Sequence, residues 1–166
     1  MLLWFAGLSF ACTVAVFRDA AIDHRLVMAA ASLPAVFDLA FGGVRFLHTI
    51  ACPVLVLSFV MVATHGHRTL RRQLLAVPIG LFWNLVLDGM WTSTRLVAWP
   101  VFGFGFPHEQ LPLLGRSVGL RVAMELAGLV VLLGCIRRFD LTEAANWRRF
   151  ATLGRLDRAL VGPSGR

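Results

Sequence analysis

The sequence contains little charge and no lysine. Only 15% of its 166 residues are charged, whereas 58% are hydrophobic. Soluble globular domains carry roughly 25% charged residues, so this composition argues against an ordinary soluble domain and indicates an integral membrane protein. Because a transmembrane helix needs about 20 apolar residues, the chain has room for roughly four to six spans. No separate soluble domain is expected.

The chain also lacks the common cysteine, zinc-protease and nucleotide-binding motifs. Its three cysteines, Cys12, Cys52 and Cys135, lie inside apolar runs and form no CxxC pair. This spacing argues against a zinc knuckle or a disulfide framework. HExxH, Walker and dinucleotide-binding patterns are missing from the sequence. The cysteines are therefore interpreted as small core residues.

Five apolar runs divide the chain. They cover Met1 to Phe17, Leu26 to Leu47, Thr49 to Thr64, Leu74 to Thr94 and Val118 to Ile136. The first run lacks the features of a signal peptide and is expected to be a retained span. Backbone groups in lipid must be satisfied within the segment, which favours helices. We therefore predict an all-α integral membrane bundle of about five transmembrane helices in residues 1–138, with a cytoplasmic basic tail in residues 139–166.

Arginine supplies all the positive side-chain charge, and its distribution predicts an orientation. Placing the loop that contains Arg68, Arg71 and Arg72 in the cytoplasm puts 12 of the 16 arginines on that side. This asymmetry predicts a multi-pass protein of a prokaryotic plasma membrane, with its N-terminus outside and its C-terminus in the cytoplasm. Because the arginines cluster beside apolar runs, nucleic-acid binding is not expected despite the net charge of +7. The arginines left outside are Arg45, Arg95, Arg116 and Arg121.

The second apolar run contains residues that interrupt a helix. Pro34 has no amide proton to donate, and Gly42 with Gly43 loosens the backbone just beyond Asp38. We therefore expect this span to be kinked or partly unwound. Broken helices at membrane depth occur where the backbone is buried in protein or lines a cavity, so the break and the carboxylate point to the same place.

The stretch between Arg95 and Arg116 is too rich in proline and glycine to span a membrane. It is nevertheless apolar, and aromatic side chains favour the headgroup level, so it is expected to lie at the outer interface. It serves as an anchor or as a cap over the space between the helices. Its aromatic residues are Trp99, Phe102, Phe104 and Phe106.

The tail is predicted to form an amphipathic helix on the inner leaflet. Asp140 followed by Glu143 matches a capping box. Apolar side chains over arginines suit an anionic membrane surface, so membrane lipid is an expected partner. The apolar positions are Trp147, Phe150, Leu153, Leu156 and Leu160, and the accompanying basic ones are Arg148, Arg149, Arg155 and Arg158.

Asp38, His48 and Asp88 are the candidate functional residues. A helix rise of about 1.5 Å per residue places Asp38 and Asp88 roughly 18 and 21 Å above the cytoplasmic ends of their spans, and His48 begins the next span at the outer edge. Asn84 and Thr92 share a helix face with Asp88. Two carboxylates and an imidazole suffice to hold one divalent ion, such as zinc, manganese or magnesium.

Ion pairs between helices explain the same charges without a metal. In that interpretation Asp38 and Asp88 hydrogen-bond to neighbours or pair with Arg45 and Arg95, and His48 sits at the interface. Glu125 lies four residues after Arg121, so a local ion pair is its first explanation. Both interpretations stay open from the residues alone.

The segments SLPAVFD, His48-Thr49 and FWNLVLDGMWTSTRLVAWPVFG resemble the small membrane-bound metal-dependent hydrolases, a family that includes the LexA-binding inner-membrane hydrolases. The resemblance covers roughly Leu33 to Gly103. In that family LPDxxD is followed by a His with Ser or Thr, and then by HxxxD leading to a Trp-Pro pair. The resemblance implies that Asp38, His48 and Asp88 hold a metal whose bound water attacks an ester or phosphoester near the outer leaflet.

Two positions depart from the family pattern. Ala35 stands where its first Asp is expected, and Asn84 where the His of HxxxD is expected. Because Ala offers no ligand and Asn only a neutral oxygen, the metal site is expected to be weakened or vestigial. The alternative is a non-enzymatic membrane scaffold or accessory subunit, with a protein partner or a second copy. A small carrier is less favoured, because two matching broken helices are not visible in the sequence.

Overall fold

Helices make up all the regular secondary structure in the residues that the structure describes. The structure is a computed structural model and describes residues 1–41, 45–89, 94–101, 103, 115–157 and 161. The all-α prediction is confirmed for this part of the chain. The helices are α1 (Leu2–Phe17), α2 (His24–Phe41), a 3-10 turn (Arg45–His48), α3 (Ala51–Ala63), α4 (Arg68–Leu74), α5 (Ala76–Leu87), α6 (Thr94–Val97), α7 (Val118–Arg138) and α8 (Ala144–Leu153).

The long helices pack in two parallel pairs that run in opposite directions. α1 and α2 are antiparallel, because Phe5 packs with Ala31 while Phe10 meets His24 near the connecting turn. α5 runs parallel to α2, since Ala76 clusters with Val27 at one end and Leu87 packs near Ala35 at the other. α7 runs parallel to α1, with Gly128 against Leu3 and Cys135 in the cluster around Phe10. The carboxyl ends of α2 and α5 therefore meet at one end of the bundle, together with the start of α7.

The predicted spans are found only in part. Two helices in the described residues, α2 and α7, are long and apolar enough to cross a membrane. α1 and α3 are apolar but shorter, and the apolar run from Leu74 to Thr94 contains the 12-residue helix α5. The prediction of five spans is therefore not confirmed. α3 and α7 nevertheless present apolar side chains outward, among them Val54, Leu55, Phe59, Val122, Leu126 and Val130.

The second apolar run is one helix followed by a tighter turn. α2 continues through Pro34 and ends at Phe41, and the chain resumes as the 3-10 turn that carries His48. Helix α2 thus stops three residues after Asp38, whereas Gly42 and Gly43 lie outside the described residues. Phe46 in the 3-10 turn packs edge-on against Trp99, with ring centroids 6.0 Å apart. The other aromatic residues of the predicted interfacial loop, Phe102, Phe104 and Phe106, also lie outside the described residues.

The tail folds back onto the turn between α1 and α2. The amide of His24 donates to the Gly154 carbonyl at 2.9 Å, and the amide of Leu156 donates to the Ala20 carbonyl at 3.1 Å. Arg25 donates to the carbonyls of Ala151 and Thr152 at the end of α8. Leu156 is therefore buried in the bundle and unavailable to lipid, whereas Leu160 lies outside the described residues.

The start of α8 differs from the predicted capping box. α8 begins at Ala144 with Glu143 as its N-cap, and no side chain caps it. Asp140 instead lies in a turn with a φ of 46°. Trp147 and Leu153 are exposed, so part of the predicted lipid-facing surface of the tail remains available.

Two glycines set the distance between α1 and α7. A Cβ atom on Gly128 would overlap the backbone of Leu3 and Trp4, and one on Gly7 would overlap the Gly128 carbonyl. Gly80 plays the same part for α5 against the backbone of α2. Gly119 and Gly134 lie on the same helix as Gly128 but have open space around them. Close packing of α1 against α7 therefore depends on Gly128 and not on Gly119 or Gly134.

Replacing Gly128 with Val is expected to push α1 and α7 apart. Overpacking of a tight contact costs about 1–3 kcal/mol, and more where backbone must move. We expect Gly128→Val to lower the free energy of unfolding by at least that amount, measured by titration of SDS into the protein in mild detergent. Gly134→Val is the matched control and should change it by less than about 0.5 kcal/mol. Equal effects of the two substitutions would contradict this packing.

Candidate functional site

The structure brings the three predicted site residues together. Asp38 comes from the last turn of α2, His48 ends the 3-10 turn, and Asp88 directly follows α5. Each of the three residues is only 1% exposed. They meet because α2 and α5 run parallel and end side by side. We use the name polar cluster for Asp38, His48, Asp88 and Arg116, which pairs with Asp88.

His48 lies between the two carboxylates but bonds to only one. Its Nε2 atom is 2.8 Å from Oδ2 of Asp38, and its Nδ1 atom is 3.8 Å from Oδ2 of Asp88. Because a carboxylate oxygen accepts, the hydrogen bond to Asp38 assigns a proton to Nε2. Nδ1 and Oδ2 of Asp88 are buried without a hydrogen-bond partner in the described part of the chain. These two atoms thus face each other across a gap of 3.8 Å.

Arg116 completes the polar cluster. Its Nη1 atom donates to Oδ1 of Asp88 and its Nη2 atom donates to the Asp88 carbonyl, both at 2.7 Å. Arg116 precedes α7 and is 28 residues away from Asp88 in sequence, so no helical periodicity could have indicated this pair. The partner considered from the sequence, Arg95, lies exposed on α6. Asp38 likewise pairs with His48 and not with Arg45.

Asn84 ties α5 to α2 beneath the polar cluster. Its Nδ2 atom donates to the Ala31 carbonyl at 2.8 Å, and its side chain is fully buried. Its Oδ1 atom has no hydrogen-bond partner among the described residues. Asp88 follows four residues later, as expected for one helix face, whereas Thr92 lies outside the described residues.

Glu125 caps the start of α1 and does not pair with Arg121. Its carboxylate accepts from the amides of Leu2 and Leu3, each at 2.8 Å, and lies 2.8 Å from the amino group of Met1. The amides at a helix N-terminus have no partner within the helix and carry partial positive charge, so a carboxylate there is stabilising. Arg121 instead donates from Nε to the Arg116 carbonyl at 3.0 Å, which helps to hold Arg116 in place.

The donor set does not fit a hydrolase metal site. Only two buried atoms of the cluster, His48 Nδ1 and Asp88 Oδ2, lack a hydrogen-bond partner among the residues that the structure describes and could ligate a metal. Asp38 is already hydrogen-bonded to Nε2 of His48. The guanidinium of Arg116 lies 2.7 Å from Oδ1, the other oxygen of Asp88, and its positive charge repels a cation. Within the described ranges no group of three or more His, Cys, Asp or Glu residues is arranged to hold a metal. Catalytic metal sites commonly use three protein ligands, so the metal remains a prediction from the sequence.

Comparison with known proteins adds no relative. No protein-family model, curated protein or solved structure matches this chain. The likeness to the small membrane-bound hydrolases is carried by the motif positions. In the structure Asp38, His48 and Asp88 lie together, while Ala35 is buried against Phe5.

The pair between Asp88 and Arg116 is expected to be strongly coupled. Removing one partner of a buried pair leaves an uncompensated charge and costs about 3–5 kcal/mol. We expect Arg116→Gln to lower the free energy of unfolding by roughly this amount, measured by SDS titration in mild detergent. Asp88→Asn removes the carboxylate that Arg116→Gln leaves without a partner. The double variant Asp88→Asn with Arg116→Gln should therefore lose less free energy of unfolding than the sum of the two single losses.

Arg95→Gln is the matched control for this cycle. It removes the same charge from an exposed position on α6, and exposed substitutions usually change stability by less than about 0.5 kcal/mol. Additive effects of Asp88→Asn and Arg116→Gln, or an equal loss from Arg95→Gln, would show that the pair does not hold the helices.

Proposed function

We propose that this protein is an integral membrane scaffold or accessory subunit whose motif segments resemble those of the metal-dependent membrane hydrolases, with a vestigial metal site. The observation that carries the proposal is the position of Arg116, whose guanidinium lies 2.7 Å from Asp88 Oδ1. A metal would need this carboxylate, which the guanidinium already neutralises. The polar cluster then joins helices and performs no hydrolysis.

The apolar exterior of the bundle supports residence in the membrane. α7 exposes Val122, Leu126, Val130 and Leu133 along its length, and exposed apolar patches beyond a few hundred Å² are rare on soluble monomers. The polar cluster is buried away from this surface, as ionisable groups inside a membrane protein are. The opposite directions of the pairs α1–α7 and α2–α5 fit a chain that passes the membrane several times. The proposed orientation, with the N-terminus outside and the C-terminus in the cytoplasm of a prokaryotic plasma membrane, rests on the distribution of arginine in the sequence.

The hydrogen bonds favour a scaffold because they link separate elements. One hydrogen bond joins Asp38 on α2 to His48 in the 3-10 turn, and Arg116 before α7 donates to Asp88 at the end of α5. His48 lies 3.8 Å from Asp88 without a hydrogen bond. Glu125 on α7 then holds the first turn of α1. The polar groups at this end of the bundle thus fix the relative positions of four helices, which is what a docking platform for a protein partner or a second copy requires.

A metal-dependent hydrolase is the second candidate, and one observation favours it. His48 Nδ1 and Asp88 Oδ2 lie 3.8 Å apart, and neither has a hydrogen-bond partner in the described part of the chain. If a divalent ion is bound, these two residues would hold it, and the ion would supply a water activated for attack on an ester. Asp38 would then orient the imidazole through Nε2, as carboxylates behind metal-bound histidines do.

Metal content distinguishes the two candidates. We expect the protein, purified in mild detergent without chelator and then loaded with zinc, manganese or magnesium, to retain far less than one ion per chain by elemental analysis. The reason is the missing ligand at Ala35 together with the charge of Arg116. Near-stoichiometric metal that is lost in Asp38→Asn, His48→Gln and Asp88→Asn would overturn the scaffold proposal and justify screening esters and phosphoesters.

Restoring the family ligands provides a positive control. The double variant Ala35→Asp with Asn84→His should retain more metal than the wild type, since it returns a carboxylate and an imidazole to the positions where the family has them. Gel filtration in detergent confirms that the variant is folded. If the restored protein binds no metal while remaining folded, the site geometry is not that of the family, and the resemblance is misplaced.

Membrane integration is tested by extraction of isolated membranes. We expect the protein to remain in the pellet after alkaline carbonate and to be released only by detergent, because its apolar helix faces have no other cover. Release by carbonate alone would indicate a peripheral protein and would contradict the membrane proposal, whatever the metal content.

A further inference from the structure

A groove between α1 and α7 lies at the end of the bundle opposite the polar cluster. It has a volume of about 410 Å³, within the range of roughly 300–1,000 Å³ typical of small-molecule sites. Ala11, Val14 and Ala15 of α1 line one side, and Cys135 of α7 with Phe139 lines the other. The short side chains of Ala11 and Ala15 leave the depression open, and the residues that form its floor are apolar.

Two arginines line the groove. Arg18 directly follows α1, and Arg138 is the last residue of α7. Both are exposed, and in the described part of the chain neither forms an ion pair with a carboxylate. The groove therefore combines an apolar floor with two uncompensated positive charges.

A second groove at the same end of the molecule shows the contrast. It is lined by Arg149, Arg155 and Asp157, and the guanidinium of Arg149 donates to Asp157 at 2.7 Å. Its charge is thus partly neutralised within the protein. Among the residues that the structure describes, the lining of the groove at Arg18 and Arg138 contains no carboxylate, so this groove is the one that complements an anion.

We propose that the groove at Arg18 and Arg138 binds one anionic phospholipid of the inner leaflet. The guanidinium groups hold the phosphate, whose geometry matches their planar fork. An acyl chain lies over Val14 and Ala15, which line the groove beside the arginines, where a free phosphate would leave these apolar side chains uncovered. This inference rests on the proposed residence in the membrane, which places this end of the bundle among anionic headgroups.

Native mass spectrometry of the full chain in mild detergent tests the proposal. Phosphatidylglycerol is compared with phosphatidylcholine of the same acyl chains. We expect phosphatidylglycerol to bind more tightly, and Arg18→Gln and Arg138→Gln each to weaken it about fivefold, as follows from ~1 kcal/mol per basic residue near an anionic surface. Ala15→Trp fills the groove without changing its charge, so it should weaken the binding of both lipids.

The control removes two charges from the same end of the molecule but outside the groove. Arg137→Gln combined with Arg148→Gln should leave binding of phosphatidylglycerol unchanged, and millimolar inorganic phosphate should not displace the lipid. Equal losses in the control and in the double variant Arg18→Gln with Arg138→Gln would overturn the proposal, because the arginines would then act only as general surface charge. Displacement by phosphate would overturn it in favour of a free anion.

Failure of this inference is distinguishable from failure of the proposed function. If the protein resists carbonate extraction but the groove variants bind lipid as the wild type does, only the lipid site is wrong. If the protein is released by carbonate, the membrane proposal fails, and the lipid site fails with it.

Discussion

The ion pair between Asp88 and Arg116 constrains the end of the bundle on which the rest of the candidate site depends. Burying a carboxylate costs several kcal/mol unless a counter-charge and hydrogen bonds accompany it. Arg116 supplies both, through its 2.7 Å contacts with the Asp88 side chain and carbonyl. Asp38 accepts a hydrogen bond from Nε2 of His48 at 2.8 Å. The ends of α2 and α5 and the start of α7 must therefore stay close together.

The glycine contacts determine how this constraint reaches the other helices. Gly128 lets α7 approach the backbone of α1, and Gly80 lets α5 approach α2. Only at such short distances can Glu125 on α7 accept from the first amides of α1, and only then can Asn84 reach the Ala31 carbonyl. Small residues in the middle of the helices and polar contacts towards one end thus stabilise the same arrangement.

The sequence predicts the helical class and the identity of the buried residues better than it predicts their partners. Periodicity and hydropathy are local properties, so they indicated helices and singled out Asp38, His48 and Asp88, which the structure brings together. The pairing of Arg116 with Asp88 depends on a connection of 28 residues and on parallel packing, neither of which leaves a local signal. For the same reason the cap on α1 was missed, and Arg121 was assigned to Glu125.

The number of membrane spans shows where hydropathy reaches its limit. The apolar run after Leu74 contains enough residues to span a membrane. Its helix α5, however, has 12 residues and ends at Leu87, directly before Asp88, whose side chain pairs with Arg116. The buried carboxylate of Asp88 therefore lies directly at the end of helix α5. Removing one member of this buried pair costs more than the pair itself contributes. The packing of the helix ends explains the polar cluster by itself, with Ala35 buried against Phe5 and Asn84 donating to the Ala31 carbonyl just below it.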